Sequence, residues 1–156
     1  MKSIILSNLR SVHNVGSIFR TANALGFDKI YLCGTTPTPI DNYGVPRKDF
    51  LKVSLGAEKT ILWEYVIDTK ELVKKLRVDG HYVVAIEQDE KAADYKVVDI
   101  TGKEKVAFVL GAEVGGLSGD ILDEVSVIAE IPMLGTKESL NVTIAFGVVA
   151  YRILKI

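Results

Sequence analysis

A handful of short, almost unbroken apolar runs decides most of what this chain can become. Ser3–Leu9, Lys29–Cys33, Tyr82–Glu87, Lys105–Leu110 and Val125–Ile131 are strand-length and rich in aliphatic residues. They lack the strict apolar–polar alternation of a sheet with one wet face. Strands of that kind are buried on both sides, which is the habit of a parallel sheet covered by helices. Thr60–Val66 reads as a further strand. Helical patterns fall between the runs: Asn14–Leu25, Pro46–Leu55, the charged Thr69–Val78, Ser118–Glu124, and a C-terminal helix from Leu140 to Leu154. In the first of these, Val15, Ile18, Phe19, Ala22 and Leu25 share one face, with Asn14 the expected N-cap and Gly26 the stop. The proline-containing Gly34–Val45 and the polar Asp89–Thr101 read as loops. Strands alternating with helices predict an α/β fold with a Rossmann-like, mostly parallel sheet.

A length of 156 residues suits one domain, read here as residues 1–156 without an N-terminal RNA-binding extension. No apolar run is long enough to span a membrane, and the start of the chain lacks a signal-peptide pattern. The single cysteine, Cys33, excludes an intramolecular disulfide and a cysteine-cluster zinc site. A cytoplasmic location is expected. The net charge of −1 means that an RNA partner would need a local basic patch. Arg10, Arg20, Arg47, Lys48 and Lys52 are the residues that could make one, although a solvated surface would look the same.

Three segments lie just past strand ends, where open α/β sheets bind ligands. Leu9–Arg20 offers Asn14, a glycine at Gly16 that permits close backbone approach, and Arg20 on the polar side of the helix. Leu110–Ser118 runs from Gly111 through Glu113 to two further glycines. It has neither the spacing of a dinucleotide fingerprint nor the lysine of a P-loop. Ile131–Arg152 turns at Pro132 and Gly135, and brings Ser139 and Asn141 to the first turn of a helix that is apolar on nearly every side. Such a helix is expected to be buried all round. Polar groups at its N-terminus would make a recess for a small polar ligand. An ordinary capped helix or strand–helix turn would account for each segment separately.

Together and in this order, N-V-G-S-I-F-R-T-A from Asn14, V-L-G-A-E-V-G-G-L-S from Val109 and I-P-M-L-G-T-K-E-S-L-N-V from Ile131 resemble the SpoU-type RNA 2′-O-ribose methyltransferases of the SPOUT superfamily. The resemblance runs from about Ser3 to Tyr151. It implies a C-terminal trefoil knot, S-adenosylmethionine as methyl donor with S-adenosylhomocysteine as product, and no metal. It also implies a homodimer acting on tRNA or rRNA, in which one subunit's arginine can serve the site that holds its partner's cofactor. Carried over by motif, Arg20 stands beside the target hydroxyl, Asn14 holds Arg20 or the ribose, and Glu113 pairs with Arg20 or holds the dimer. Ser139 and Asn141 orient substrate and loops. Gly111 with Leu110, Ile131, Met133, Ser139 and Leu140 would hold the cofactor, with Ile86 and Glu87 as a wall. A relative acting on a tRNA base, or a catalytically silent knotted RNA-binding protein, would share much of this pattern. A flavodoxin-like nucleotide binder is disfavoured by the missing phosphate loop.

Overall fold

The computed structural model describes all 156 residues. Seven strands form one sheet in the order β3-β2-β1-β6-β4-β7-β5, and every pairing is parallel. They are β1 (Lys2–Ser7), β2 (Lys29–Cys33), β3 (Leu62–Val66), β4 (Tyr82–Ile86), β5 (Ala93–Asp94), β6 (Val106–Leu110) and β7 (Val127–Glu130). The helices are α1 (Val12–Ala24), α2 (Lys48–Ser54), α3 (Thr69–Val78), α4 (Gly119–Leu122) and α5 (Val142–Leu154). No helix is long and apolar enough to cross a membrane.

The two-residue period of a strand sorts the core into two layers. From β1, Ile4 and Leu6 join Ile30, Leu32, Val84, Ile86, Phe108 and Leu110 beneath α1 and α5. Ile5 points the other way, with Val83, Ala85, Ala107 and Val109, beneath α3 and α4. Phe27 meets both Phe108 and Phe146 with ring centroids 5.7 Å apart, tying β6 to α5. Removing a fully buried ring such as Phe108 costs about 3–5 kcal/mol. Cys33 is buried filler, and burial pushes its thiol up to about 12, far from the reactive thiolate range.

Several boundaries differ from the sequence expectation. Ser11, not Asn14, caps α1: its hydroxyl accepts the Asn14 N–H at 3.1 Å, which leaves the Asn14 side chain free for a distant partner. Gly26 does stop that helix, at φ +65. β3 starts late because a 3-10 turn, Ala57–Lys59, runs into it. β5 lies inside the segment read as loop and adds a short edge beside β7. The last helix begins at Val142, with Asn141 as its cap, so Ser139 precedes it. That helix is not buried all round in one chain. Phe146, Val149, Ala150 and Ile153 face the core, while Ile144, Val148 and Tyr151 are 54%, 39% and 42% exposed.

Candidate active site

Strand order reverses between β1 and β6: one branch runs outward to β2 and β3, the other to β4, β7 and β5. The helices after β1 and β6 therefore lie on opposite faces, and the loops leaving those strands diverge at the carboxyl end of the sheet. A ligand crevice is expected at that place. A hollow of about 700 Å³ opens beside it, at the ends of β4 and β6 and against the start of α5. Its apolar wall is Ile86, Leu110, Leu117, Leu122, Val142 and Ala145. Its polar rim carries four carboxylates, Glu87, Asp89, Glu113 and Glu138, with no lysine, arginine or histidine.

The loop after β6 is held by contacts that only glycine permits. Ala112 and Gly116 form an antiparallel bridge, and a Cβ on Gly111 would lie 2.3 Å from the Gly116 carbonyl carbon. Gly116 sits at φ +60, and a Cβ there would meet Glu87 Oε2 at 2.3 Å. That same Oε2 accepts the Leu117 N–H at 2.9 Å, and Oε1 accepts the Gln88 N–H at 3.0 Å. Glu87 thus braces the glycine loop against β4.

Glu113 gathers the three motifs. Its carboxylate accepts from the Arg10 N–H at 3.1 Å, the Ser11 N–H at 3.3 Å and the Asn14 amide Nδ2 at 2.9 Å. Asn141 Nδ2 donates to Asn14 Oδ1 at a longer 3.4 Å. Burial pushes the Glu113 carboxyl up, but the hydrogen bonds from Asn14 and nearby backbone outweigh it, so the group lies below its ordinary value. Asn141 also caps α5 by accepting from the Thr143 N–H at 2.9 Å and its hydroxyl at 2.6 Å.

Arg20 is elsewhere. It lines a second hollow of about 590 Å³ with His13, Ser17, Thr21, Lys52 and Tyr151, and takes part in none of the ion pairs. The expected Arg20–Glu113 pair is therefore absent within one chain. Six residues of helix separate Asn14 from Arg20, about 9 Å along the axis. Gly16 does the work of close approach expected of it, lying against the Phe50 carbonyl and Val53 of α2, where a Cβ would come within 3.3 and 3.1 Å. Of the residues proposed to hold a cofactor, Ile86, Glu87, Leu110, Gly111, Ser139 and Leu140 line the first hollow. Ile131 and Met133 do not; Ile131 packs on the core beneath α1 and α5. Arg10 and Lys48 are exposed and Arg47, the N-cap of α2, is half-buried. Asp89 and Glu138, which the sequence reading did not place among the site residues, also line the first hollow. Asp89 resembled a solvated loop acid, though its place directly after β4 was a usable signal.

The chain matches the SpoU rRNA Methylase family over residues 1–151. It is 32% identical over 149 residues to the tRNA (guanosine(18)-2′-O)-methyltransferase of Thermus thermophilus, covering 96% of this chain and 72% of that protein. A Staphylococcus haemolyticus protein is 30% identical over 150 residues, covering 96% of this chain and 57% of its own length. The AdoMet-bound rRNA methyltransferase of Sinorhizobium meliloti superposes with a TM-score of 0.88 at 28% identity, covering 99% of this chain and 56% of that one. The chain thus spans between about half and three quarters of the length of these relatives.

Proposed function

This chain belongs to the SpoU rRNA methylase family, and from that premise we propose that it transfers a methyl group from S-adenosylmethionine to a ribose 2′-hydroxyl of tRNA or rRNA. The observation that carries the reading is the Asn14–Glu113–Asn141 network, which joins all three motifs beside the carboxylate-rimmed hollow. The activity of the Thermus thermophilus relative supports ribose chemistry on tRNA, and that of the Sinorhizobium meliloti enzyme supports rRNA.

The first hollow suits the cofactor chemically. An apolar wall fits an adenosine, the glycine loop and the Ser139–Leu140 backbone offer main-chain groups, and a rim of carboxylates fits a molecule bearing two cationic centres and one carboxylate. When bound, S-adenosylmethionine supplies an electrophilic methyl on a sulfonium. The protein's task is to make a neutral hydroxyl nucleophilic. Arg20 cannot be its base, because a guanidinium keeps its proton in proteins. Its role is a fixed positive charge on the target phosphate and on the developing alkoxide, the proton passing to phosphate or water. Asn14 and Asn141 set the position of the loops around the hydroxyl. Glu113 holds Asn14 in place rather than neutralising Arg20.

Arg20 and the cofactor hollow are apart in one chain, so we assign the uncovered Ile144, Val148 and Tyr151 face of α5 to a second copy of the chain. Tyr151 borders the Arg20 hollow, so a partner seated there would cover both. The C-terminal trefoil knot belongs to the same reading. Its support is that the loop before α5 and the loop after β6 line one hollow, although well apart in sequence. Arg20→Ala tests the mechanism. Methyl transfer should fall by roughly a hundredfold or more, while calorimetric S-adenosylmethionine affinity stays within about twofold of wild type. Wild-type turnover in that variant would remove Arg20 from the chemistry.

A further inference from the structure

The loop between β2 and α2 is not slack chain. Ile40 bridges Pro46, the Asp41 N–H donates to the Val45 carbonyl at 2.8 Å, and the Arg47 N–H donates to the Pro39 carbonyl at 2.9 Å. The Asp41 carboxylate accepts both the Tyr43 and the Val45 N–H at 2.9 Å, and Gly44 turns the tip at φ +78. At the tip of this small hairpin Tyr43 is 91% exposed, with no aromatic or cationic neighbour and no hydrogen bond from its hydroxyl.

A lone exposed tyrosine is ordinary. Its surroundings make this one informative. The hairpin leads directly into α2, whose cap is Arg47 and whose first residue is Lys48. Lys52 follows one turn later on the same face, and it lines the second hollow with Arg20. Two acids lie along this stretch, and both hold backbone N–H groups: Asp41 within the turn, and Asp49 with the Phe50 N–H at 3.0 Å. The Arg47 Nε is sheltered and bonds nothing in the protein. Cations thus lead from the hairpin along α2 to Arg20, with a rigidly presented ring at the far end.

We propose that the Pro39–Arg47 hairpin is a base-stacking platform, on which Tyr43 receives an unpaired nucleobase of an RNA whose phosphates lie along Arg47, Lys48 and Lys52. The proposal rests on the RNA methylation reading above. A protein partner is the weaker fit, because beyond the ring the exposed apolar surface of the hairpin is confined to Ile40, Val45 and Pro46. Stacking on an aromatic side chain tolerates any base, so this contact adds grip on a single-stranded segment rather than sequence choice.

The test compares wild type, Tyr43→Ala and Tyr43→Phe in steady-state methyl transfer to total small RNA and ribosomal RNA from a deletion strain. Tyr43→Ala should raise KM for RNA by roughly tenfold or more and leave S-adenosylmethionine affinity and the salt slope of RNA binding unchanged. Tyr43→Phe, which keeps the ring, should stay near wild type. In Tyr43→Trp, RNA should quench the added indole emission. A wild-type KM in Tyr43→Ala overturns the proposal. So does a Tyr43→Phe variant as impaired as the alanine, since the hydroxyl and not the ring would then matter. A change of sedimenting mass in Tyr43→Ala would place the ring against a second copy and overturn it too. Absence of methyl transfer by the wild type would instead strike the functional reading itself.

Discussion

The two hollows are built from opposite materials. The one at the ends of β4 and β6 is rimmed by carboxylates and shaped by backbone: Gly111 against Gly116, Glu87 under Leu117, Glu113 on the N–H groups of Arg10 and Ser11. The one between α1 and α2 carries Arg20, His13 and Lys52 on an open surface beside a half-exposed Tyr151. The first is fixed by hydrogen bonds within one chain; the second has its cations exposed and unpaired by any ion bridge. The difference teaches that one chain finishes the first hollow by itself, whereas the second is left open beside Arg20 and Tyr151, the face proposed to seat a second copy of the chain.

The strongest way to break this contrast is to kill each hollow separately. Arg20→Ala empties the second hollow of its guanidinium, and Gly111→Ala forces apart a backbone contact in the first, an overpacking that typically costs about 1–3 kcal/mol. Each homogeneous variant should lose methyl transfer. If the two hollows meet across a symmetric pair, co-expressed mixtures should regain about a quarter of wild-type activity, since half the pairs are mixed and each has one intact site. No recovery from mixed pairs that demonstrably form would place Arg20 and the cofactor in the same subunit. A smaller effect concerns the basic side. Reversing Arg47 and Lys48 to glutamate should weaken RNA binding and flatten its salt dependence by about one unit of slope for each phosphate no longer neutralised. Binding equal to that of the wild type at both low and high salt would remove both residues from the footprint.

The smallest expected effect belongs to the Asn14–Glu113 tie. Because the folded Glu113 carboxyl lies below its ordinary value, the tie contributes stability above the unfolded carboxylate range and loses it as pH falls through the lowered value. A double-mutant cycle of Asn14→Ala and Glu113→Ala should give a coupling of roughly 0.5 kcal/mol at neutral pH, discounted for solvent screening. It should fade in acid, as the carboxylate takes up its proton. A coupling that grew in acid would contradict the network as drawn.

Much of the frame was legible beforehand for local reasons. Lys29–Cys33 and Thr69–Val78 match to the residue, because an apolar run and an amphipathic helix with a stop are local signals. β5 was not legible, since two residues carry no periodicity. Nor was the cap of α1: both Ser11 and Asn14 suit an N-cap, and what decides is Glu113, 99 positions away, which takes the Asn14 amide. Glu87 was legible as a wall but not as a brace, because its partner Leu117 lies on another strand's loop, 30 positions on. The separation of Arg20 from Glu113 was not legible: the six-residue spacing is in the sequence, but which end of α1 Glu113 would hold is a contact 99 positions away.

The central claim is that the acceptor is a sugar oxygen of RNA. Incubating the wild-type protein with methyl-labelled S-adenosylmethionine and RNA from a deletion strain, digesting to nucleosides and separating them by mass tests it directly. Label is expected in a 2′-O-methylnucleoside. Label on a base, or no label in any RNA fraction, would contradict it.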